Sequence, residues 1–314
     1  MPRVRLVAVT LGAAAMVLAS VLAAAGVGEE PGALPNWQAL VLGLVQGATE
    51  LLPISSSGHL ILVPWLGDWT YLKENDRFNQ TFDVALHLGT LIAVVAYFRH
   101  DIVALTRAWL GSVARRRISS PEERVAWLVA VATVPAALVG AVGETFIADN
   151  LGEPWQIAIF LALFAIVLYV ADRRPARRRM DDLGLRTGVA IGLAQSLALM
   201  PGVSRSGITI SAGRFLGLDR DSAARLSFLL LVPITFGAVL YKGVSDIVLG
   251  DLPPGSVGPF VVGTLAAAVS GLAAIWGLLG YVRRHDYTIF VVYRLIAAAV
   301  VFLLIIADAR DPGF

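Results

Sequence analysis

Residues 42–60 read LGLVQGATELLPISSSGHL, and residues 191–209 read IGLAQSLALMPGVSRSGIT. Each stretch lies inside a longer apolar region, residues 37–67 and 187–217 respectively, and interrupts it with Pro, Gly and Ser. Each half of such a region has only about 10 to 16 residues, whereas a helix that crosses a bilayer needs about 20. The sequence therefore predicts two helices that are broken in the middle and turn back as re-entrant hairpins.

The two stretches also resemble each other along their length. Their matching residues keep equal spacing and are Gly43, Gln46 and Gly58 in the first stretch and Gly192, Gln195 and Gly207 in the second. The first hairpin would start from the outer face of the membrane and the second from the inner face. This predicts an inverted repeat, in which each half is one hairpin followed by three transmembrane helices. Broken helices in two such halves should meet near the midplane.

The composition requires most of the chain to lie in lipid. Of 314 residues, 57% are hydrophobic and only 15% are charged, and the mean hydropathy is +0.74. Because there is no cysteine, disulfides, thiol catalysis and thiolate metal sites are excluded. The predicted class is an all-α polytopic membrane protein. Its clear spans are residues 81–98, 124–147, 154–172, 222–241, 257–280 and 288–308.

Residues 4–27 form a further apolar stretch after Arg3 and Arg5. A cleaved signal peptide is one interpretation, but the stretch is longer than a usual signal core, so an extra N-terminal transmembrane helix is favoured. The predicted organisation is an anchor and linker, 1–35, and one membrane domain, 36–314. That domain comprises a first half, 36–172, a basic linker, 173–185, and a second half, 186–308.

Basic residues predict the orientation. They are concentrated in three connections, at Arg99, Arg107 and Arg115–Arg117, at Arg173–Arg186, and at Arg283 with Arg284. If both hairpins are re-entrant, all three connections fall on the same side, which is then cytoplasmic. The N-terminus would be cytoplasmic and the C-terminus outside, with acidic outer loops at 68–80, 148–153 and 242–256. The run RRPARRR is better explained by this topology than by nucleic-acid binding, which is not expected.

Three ionisable residues fall inside the broken segments, Glu50, His59 and Arg205. A charge inside a span costs about 2.5 to 3.5 kcal/mol on insertion scales, so each is a candidate functional residue. An Arg fork beside hydroxyl groups and two helix N-termini is typical of a phosphate or diphosphate site. The candidate substrate-binding residues are Gln46, Ser55, Ser57, Ser204, Ser206 and Thr209.

Structural roles are the competing interpretation. Glu50 and Arg205 could be an ion pair that only locks the hairpins together, and His59 a core histidine bonded to a carbonyl. At least one serine in each loop should cap the helix that begins near Ser57 or Ser206. Packing, pairing or snorkelling is expected for the remaining charged residues near span interiors or ends, which are Asp83, His87, Glu144, Arg214 and Arg294.

QGATE followed by PISSSGH resembles the paired acidic motif and Ser- and His-containing segment of the undecaprenyl-diphosphate phosphatase (bacitracin-resistance) family. PGVSRSGIT is similar to the second motif of that family, and the resemblance covers residues 36–308. It implies that the catalytic residues are Glu50, Ser56, His59 and Arg205. It also implies a divalent cation, Mg²⁺ or Ca²⁺, held by Glu50. Gln46 stands where many members have a second Glu, so one anionic ligand is missing.

The family resemblance implies hydrolysis of undecaprenyl diphosphate to undecaprenyl phosphate and phosphate in the bacterial plasma membrane. This reaction recycles the cell-wall lipid carrier and confers bacitracin resistance. His59 could activate either Ser56 or water. The polyprenyl tail needs a lipid-facing groove, which the small residues of GTLAAAVSG, 263–271, could open. The resemblance also makes a homodimer plausible.

Two other functions remain open at this point. Inverted repeats with broken helices are transporter architecture, so the chain could be a secondary transporter or a flippase for a polyprenyl phosphate or another anion. His59 and Glu50 would then relay protons. A non-catalytic anion-binding membrane subunit is the third hypothesis.

Overall fold

The computed structural model describes residues 33–243 and 255–313, and this part of the chain contains helices and no β-strand. The predicted N-terminal span, residues 4–27, lies outside the described residues, as does most of the predicted loop 242–256. The helices are α1 Asn36–Leu51, α2 Ser56–Gly67, α3 Tyr71–Glu74, α4 Asp76–Arg115, α5 Pro121–Asn150, α6 Pro154–Asp172, α7 Leu185–Ser196, α8 Arg205–Phe215, α9 Arg220–Lys242, α10 Val257–Val282 and α11 Thr288–Ile306.

Six helices of the described chain are long and apolar enough to cross a membrane: α4, α5, α6, α9, α10 and α11. They coincide with the six spans expected from hydropathy, so this prediction is confirmed. Local signals mark where two of them begin. Pro121 occupies the first turn of α5, and the Ser120 hydroxyl accepts from the Glu123 N–H at 3.2 Å. Pro154 likewise begins α6.

Helix α4 differs from the prediction at its C-terminal end. The segment after residue 98 was expected to be a connecting loop because it carries Arg99, Arg107 and Arg115, but it is helical up to Arg115. The backbone leaves helical geometry only at Phe98, with φ −98° and ψ 19°, which kinks the helix. Apolar residues continue at helical spacing beyond the kink, and Arg99 and Arg107 are exposed, so the charges did not require a loop.

The two predicted breaks are present. Helix α1 ends at Leu51 and α2 begins at Ser56, so residues 52–55 form what we call the first tip. Helix α7 ends at Ser196, and a 3₁₀ turn, Leu197–Leu199, begins the second tip, residues 197–204, which leads into α8. These four helices have 16, 12, 12 and 11 residues. At about 1.5 Å per residue, none reaches the thickness of a hydrocarbon core.

Small residues let α10 approach α1 and α4 closely. A Cβ atom added at Gly43 would lie 2.3 Å from the Gly263 carbonyl oxygen, and one at Gly89 would lie 2.3 Å from the Thr264 carbonyl oxygen. Segment 263–271, which the sequence suggested as a groove, is therefore closed by backbone-to-backbone packing.

Gly47 offers a test of this packing. Its added Cβ would lie 2.0 Å from Ser270 Oγ and 2.2 Å from the Ala267 carbonyl oxygen, so Gly47→Val must push α1 away from α10. We expect a loss of about 1–3 kcal/mol of stability, seen as a lower melting temperature in detergent. Gly277→Val in α10 is the matched control, because nothing lies within 4 Å of its added Cβ. Equal melting temperatures for the two variants would contradict the close packing.

Candidate active site

Glu50, Ser56 and Arg205 come together where the two tips meet. Glu50 lies in the last turn of α1 and is only 7% exposed. Its Oε2 accepts a hydrogen bond from the Ser56 hydroxyl, and its Oε1 accepts one from Arg205 Nη2 at 2.9 Å. Both oxygens of one buried carboxylate are thus engaged, one by a hydroxyl group and one by a cation.

Helix α9 holds the other side of the Arg205 guanidinium. Arg205 Nη1 donates to the Ser227 carbonyl oxygen at 2.7 Å. The Thr209 hydroxyl, one turn after Arg205 in α8, donates to Ser227 Oγ at 2.8 Å. This second bond also holds α8 against the part of α9 that contains Ser227. Since a guanidinium has five N–H donors and only part of this set is used, Arg205 keeps donors for an anion.

Two serines cap the returning helices in the same way. Ser55 Oγ accepts from the Gly58 N–H at 3.4 Å, and Ser204 Oγ accepts from the Gly207 N–H at 3.1 Å. Both residues have positive φ, 79° and 77°, a conformation that costs energy in a residue with a Cβ atom. The capping role expected for the serines is confirmed, and each helix begins one residue earlier than predicted, at Ser56 and at Arg205.

The tips are joined directly by hydrogen bonds. The Gly202 N–H of the second tip donates to Ser55 Oγ at 3.1 Å, and the Ser206 hydroxyl donates to the Leu52 carbonyl oxygen at 2.8 Å. Of the predicted residues, the structure therefore brings Ser55 and Glu50 of the first segment into contact with the second segment, and Ser206 and Arg205 of the second into contact with the first. Ser57 lies partly exposed in the first turn of α2.

His59 has partners other than Ser56. Its Nδ1 lies 2.6 Å from the Ser55 carbonyl oxygen, which only accepts, so Nδ1 carries the proton. Its Nε2 lies 2.7 Å from the Tyr293 hydroxyl, and the two rings stack at 5.6 Å with an interplanar angle of 15°. The Ser56 hydroxyl therefore donates its hydrogen bond to Glu50 and not to His59.

Gln46 lies one turn before Glu50 and is fully buried. Neither its amide oxygen nor its amide nitrogen has a hydrogen-bond partner in the described part of the chain. A buried amide without a partner costs about 1–3 kcal/mol, so a missing ligand is a good explanation for its position. The Gln46 carbonyl and the Glu50 carboxylate are the oxygen donors that Mg²⁺ or Ca²⁺ prefers. In the described residues, neither this site nor any other part has a cluster of three or more His, Asp or Glu that could hold a metal ion.

Helix α4 contributes a residue to the site that the sequence left without a role. His87 Nε2 lies 3.7 Å from Glu50 Oε2, and the His87 side chain is one-third exposed. Its Nδ1 is 2.7 Å from the Asp83 carbonyl oxygen in the preceding turn. The clue in the sequence was a histidine within an otherwise apolar span.

Arg294 of α11 joins the tips to α6, whereas only packing, pairing or snorkelling was expected of it. It is completely buried and donates only to backbone carbonyl groups, at 2.9 to 3.3 Å. The acceptors are Pro53 in the first tip, Gly202 and Val203 in the second, and Phe160 and Leu161 in α6. The guanidinium thus replaces the backbone hydrogen bonds that the broken helices lack.

Arg214 belongs to a different cluster, away from the tips. It donates to the carbonyl oxygens of Asp172 at 2.9 Å and Arg174 at 2.5 Å, and the Asp172 carboxylate also pairs with Arg220 at 2.7 Å. This cluster links the C-terminal ends of α6 and α8 to the start of α9. The side chain of Glu144 lies outside the part described.

The fold and the site together define a class, a multi-pass helical membrane protein with a buried Glu50–Arg205 pair between two broken helices. Residues 39–300 match the model of the family described as bacitracin resistance protein BacA, and the chain belongs to this family. A similar protein from Moorella thermoacetica, named undecaprenyl-diphosphatase, is 47% identical over 84% of this chain and 95% of its own length. Proteins of the same name from Pelotomaculum thermopropionicum and Thermomicrobium roseum are each 44% identical, over 88% and 87% of this chain and 99% of their own lengths.

Proposed function

We propose that this protein is a phosphatase that hydrolyses undecaprenyl diphosphate to undecaprenyl phosphate and inorganic phosphate, recycling the cell-wall lipid carrier and conferring bacitracin resistance. The family match and the names of the relatives support this activity. The observation that carries it is the Glu50 carboxylate, which accepts from the Ser56 hydroxyl on one oxygen and from Arg205 on the other. A hydroxyl, a base and an anion-binding cation are thereby held together.

In the proposed mechanism the Ser56 oxygen attacks the terminal phosphorus of the substrate while Glu50 takes the hydroxyl proton. The bond from that phosphorus to the bridging oxygen breaks, and the lipid monophosphate leaves. Water then hydrolyses the phosphoserine. Arg205 and the N–H groups at the starts of α2 and α8 stabilise the developing negative charge. Direct attack by a water that Glu50 activates is the alternative route to the same products.

Gln46 and Glu50 would hold a divalent cation, Mg²⁺ or Ca²⁺, with substrate oxygens and water completing its coordination. The ion would neutralise charge on the diphosphate. Because Gln46 is uncharged, Glu50 alone supplies a negative protein ligand. His59 is held by Ser55 and Tyr293 close to the tips, where it can exchange a proton with the phosphate groups.

The proposed arrangement in the bacterial plasma membrane is an inverted repeat with two re-entrant hairpins, the N-terminus cytoplasmic and the C-terminus outside. The equal φ angles of Ser55 and Ser204, at equivalent positions of the two motifs, support the repeat. The lengths of the helices that meet at the tips support hairpins that turn back. We also propose a homodimer, which the family resemblance alone supports.

Phosphate release tests the activity. Purified protein in detergent with Mg²⁺ or Ca²⁺ is expected to release phosphate from undecaprenyl diphosphate, and Arg205→Ala and His59→Ala should each abolish the release. Normal release by both variants would contradict the site. No release by the wild type would contradict the phosphatase and favour a transporter.

An acid-quenched single-turnover experiment separates the two routes. The serine route predicts a trapped phosphoserine at Ser56 and little activity in Ser56→Ala, with Ser119→Ala in the exposed loop before α5 as the control. Absence of phosphoserine together with full activity of Ser56→Ala would assign the attack to water.

A further inference from the structure

The structure places an apolar trough between α4 and α9. One cavity of about 500 Å³ is lined entirely by apolar side chains and one glycine, including Leu88, Leu91 and Val95 of α4 and Phe236 and Leu240 of α9. A second cavity of about 200 Å³ lies along the same pair of helices, with one face completed by α5. Its lining includes Ile102, Leu105 and Trp109 of α4 and Leu229 and Val232 of α9.

The two cavities share one face of each helix. On α9 the lining residues recur every three or four positions from Leu229 to Gly243, which is a single helical stripe. On α4 the same spacing runs from Leu88 to Trp109 and is interrupted only around the kink at Phe98. At about 1.5 Å per residue, the stripe on α4 is about 32 Å long and the facing stripe on α9 is about 21 Å long. The trough therefore suits a long, linear, apolar chain.

One end of the trough begins next to His87, which lies beside the candidate active site. His87 directly precedes Leu88 and lies one turn before Leu91, and both leucines line the larger cavity. The same histidine is 3.7 Å from Glu50 and one-third exposed. A ligand with its head at Glu50 and Arg205 could thus pass His87 and continue into the trough without leaving the α4 surface.

We infer that this trough binds the isoprenoid chain of the substrate, with the diphosphate at Glu50 and Arg205 and the chain running along α4 and α9. The inference rests on the proposed phosphatase function. Thr106 and Trp109 are the polar side chains that line the cavities, and the exposed Arg99 lies between the cavities on α4, where it donates to the Ala96 carbonyl oxygen at 3.1 Å. The remaining lining residues are apolar, so their contact with a hydrocarbon chain costs little desolvation. His87 separates the polar head site from the apolar trough.

Bulky substitutions should obstruct the chain. Ala96 and Thr106 are exposed and line the larger and smaller cavities, so Ala96→Trp and Thr106→Trp fill the trough without disturbing the core. We expect the KM for undecaprenyl diphosphate to rise about tenfold in each, with kcat nearly unchanged. Thr106→Trp should leave the KM for farnesyl diphosphate unchanged, because its fifteen-carbon chain ends before Thr106.

Ala273→Trp is the matched control, since Ala273 is exposed on α10 and does not line either cavity. An unchanged KM for undecaprenyl diphosphate in both trough variants would overturn the inference. So would an equal rise for the two substrates in Thr106→Trp, which would indicate damage at the head site. Failure of the wild type to release phosphate is a separate result, because it contradicts the proposed function itself.

A binding measurement keeps the inference testable if a Trp variant does not fold. The chain has no cysteine, so Phe236→Cys in the trough and Trp276→Cys on the exposed face of α10 can each be labelled selectively with N-ethylmaleimide. Undecaprenyl phosphate should slow labelling at position 236 several-fold and leave position 276 unaffected, whereas inorganic diphosphate should slow neither. Equal protection by phosphatidylglycerol would show that the trough holds bulk lipid and overturn the inference.

Discussion

Glu50→Gln is expected to lower kcat for phosphate release by about a thousandfold. The amide keeps the size of the side chain but cannot take the proton of the Ser56 hydroxyl, and it loses the charge that faces Arg205. Removing one partner of a buried ion pair also leaves Arg205 uncompensated. Initial rates with undecaprenyl diphosphate at saturating Mg²⁺ measure the effect.

The matched control is Glu74→Gln, since Glu74 is exposed in the short helix α3 and lies outside the site. It should retain wild-type kcat. A Glu50→Gln variant that folds normally and keeps more than a tenth of the wild-type kcat would contradict a role for this carboxylate as the base. The attack would then need another proton acceptor, and His59 would be the first to test.

Arg294→Met is expected to give the largest loss of stability. Carbonyl oxygens of the two tips and of α6 all accept from this guanidinium, which is completely buried. Each buried acceptor left without a donor costs about 1–3 kcal/mol. The melting temperature in detergent should fall sharply, and phosphate release should be lost with it because the tips separate.

Arg294→Lys should recover little of this loss, since an ammonium group has three donors and cannot span carbonyl groups from three segments. Arg186→Met is the control, because Arg186 is exposed near the start of α7. If Arg294→Met kept the wild-type melting temperature but lost activity, Arg294 would act on the substrate and not on the fold.

The spans and the breaks were predictable because they depend on local properties. Apolar runs of sufficient length specify α5, α6, α9, α10 and α11, and Pro, Gly and Ser mark both tips. Glu50 and Arg205 could be found because a charged side chain in an apolar segment is conspicuous in the sequence alone. Their direct contact followed from the expectation that the two tips meet.

Two features were not predictable from the sequence, the continuation of helix α4 beyond Phe98 and the role of α11. Arg99 and Arg107 suggested a loop, although on an exposed helical face they are equally acceptable. Arg294 bonds only to backbone carbonyl groups, which every residue has, so no complementary side chain pointed to it. Tyr293 was equally inconspicuous, since aromatic residues are common in apolar spans, and its contact with His59 spans 234 positions.

Both Tyr293 and Arg294 lie in the last helix of the chain, whereas the groups they hold, His59 and Pro53, lie near its beginning. A protein is synthesised from its N-terminus, so the first tip enters the membrane long before α11 leaves the ribosome. The contacts of Tyr293 and Arg294 with the tips can therefore form only after synthesis is nearly complete. Nascent chains, and products truncated before residue 293, would carry Glu50 and Ser56 without these two supports.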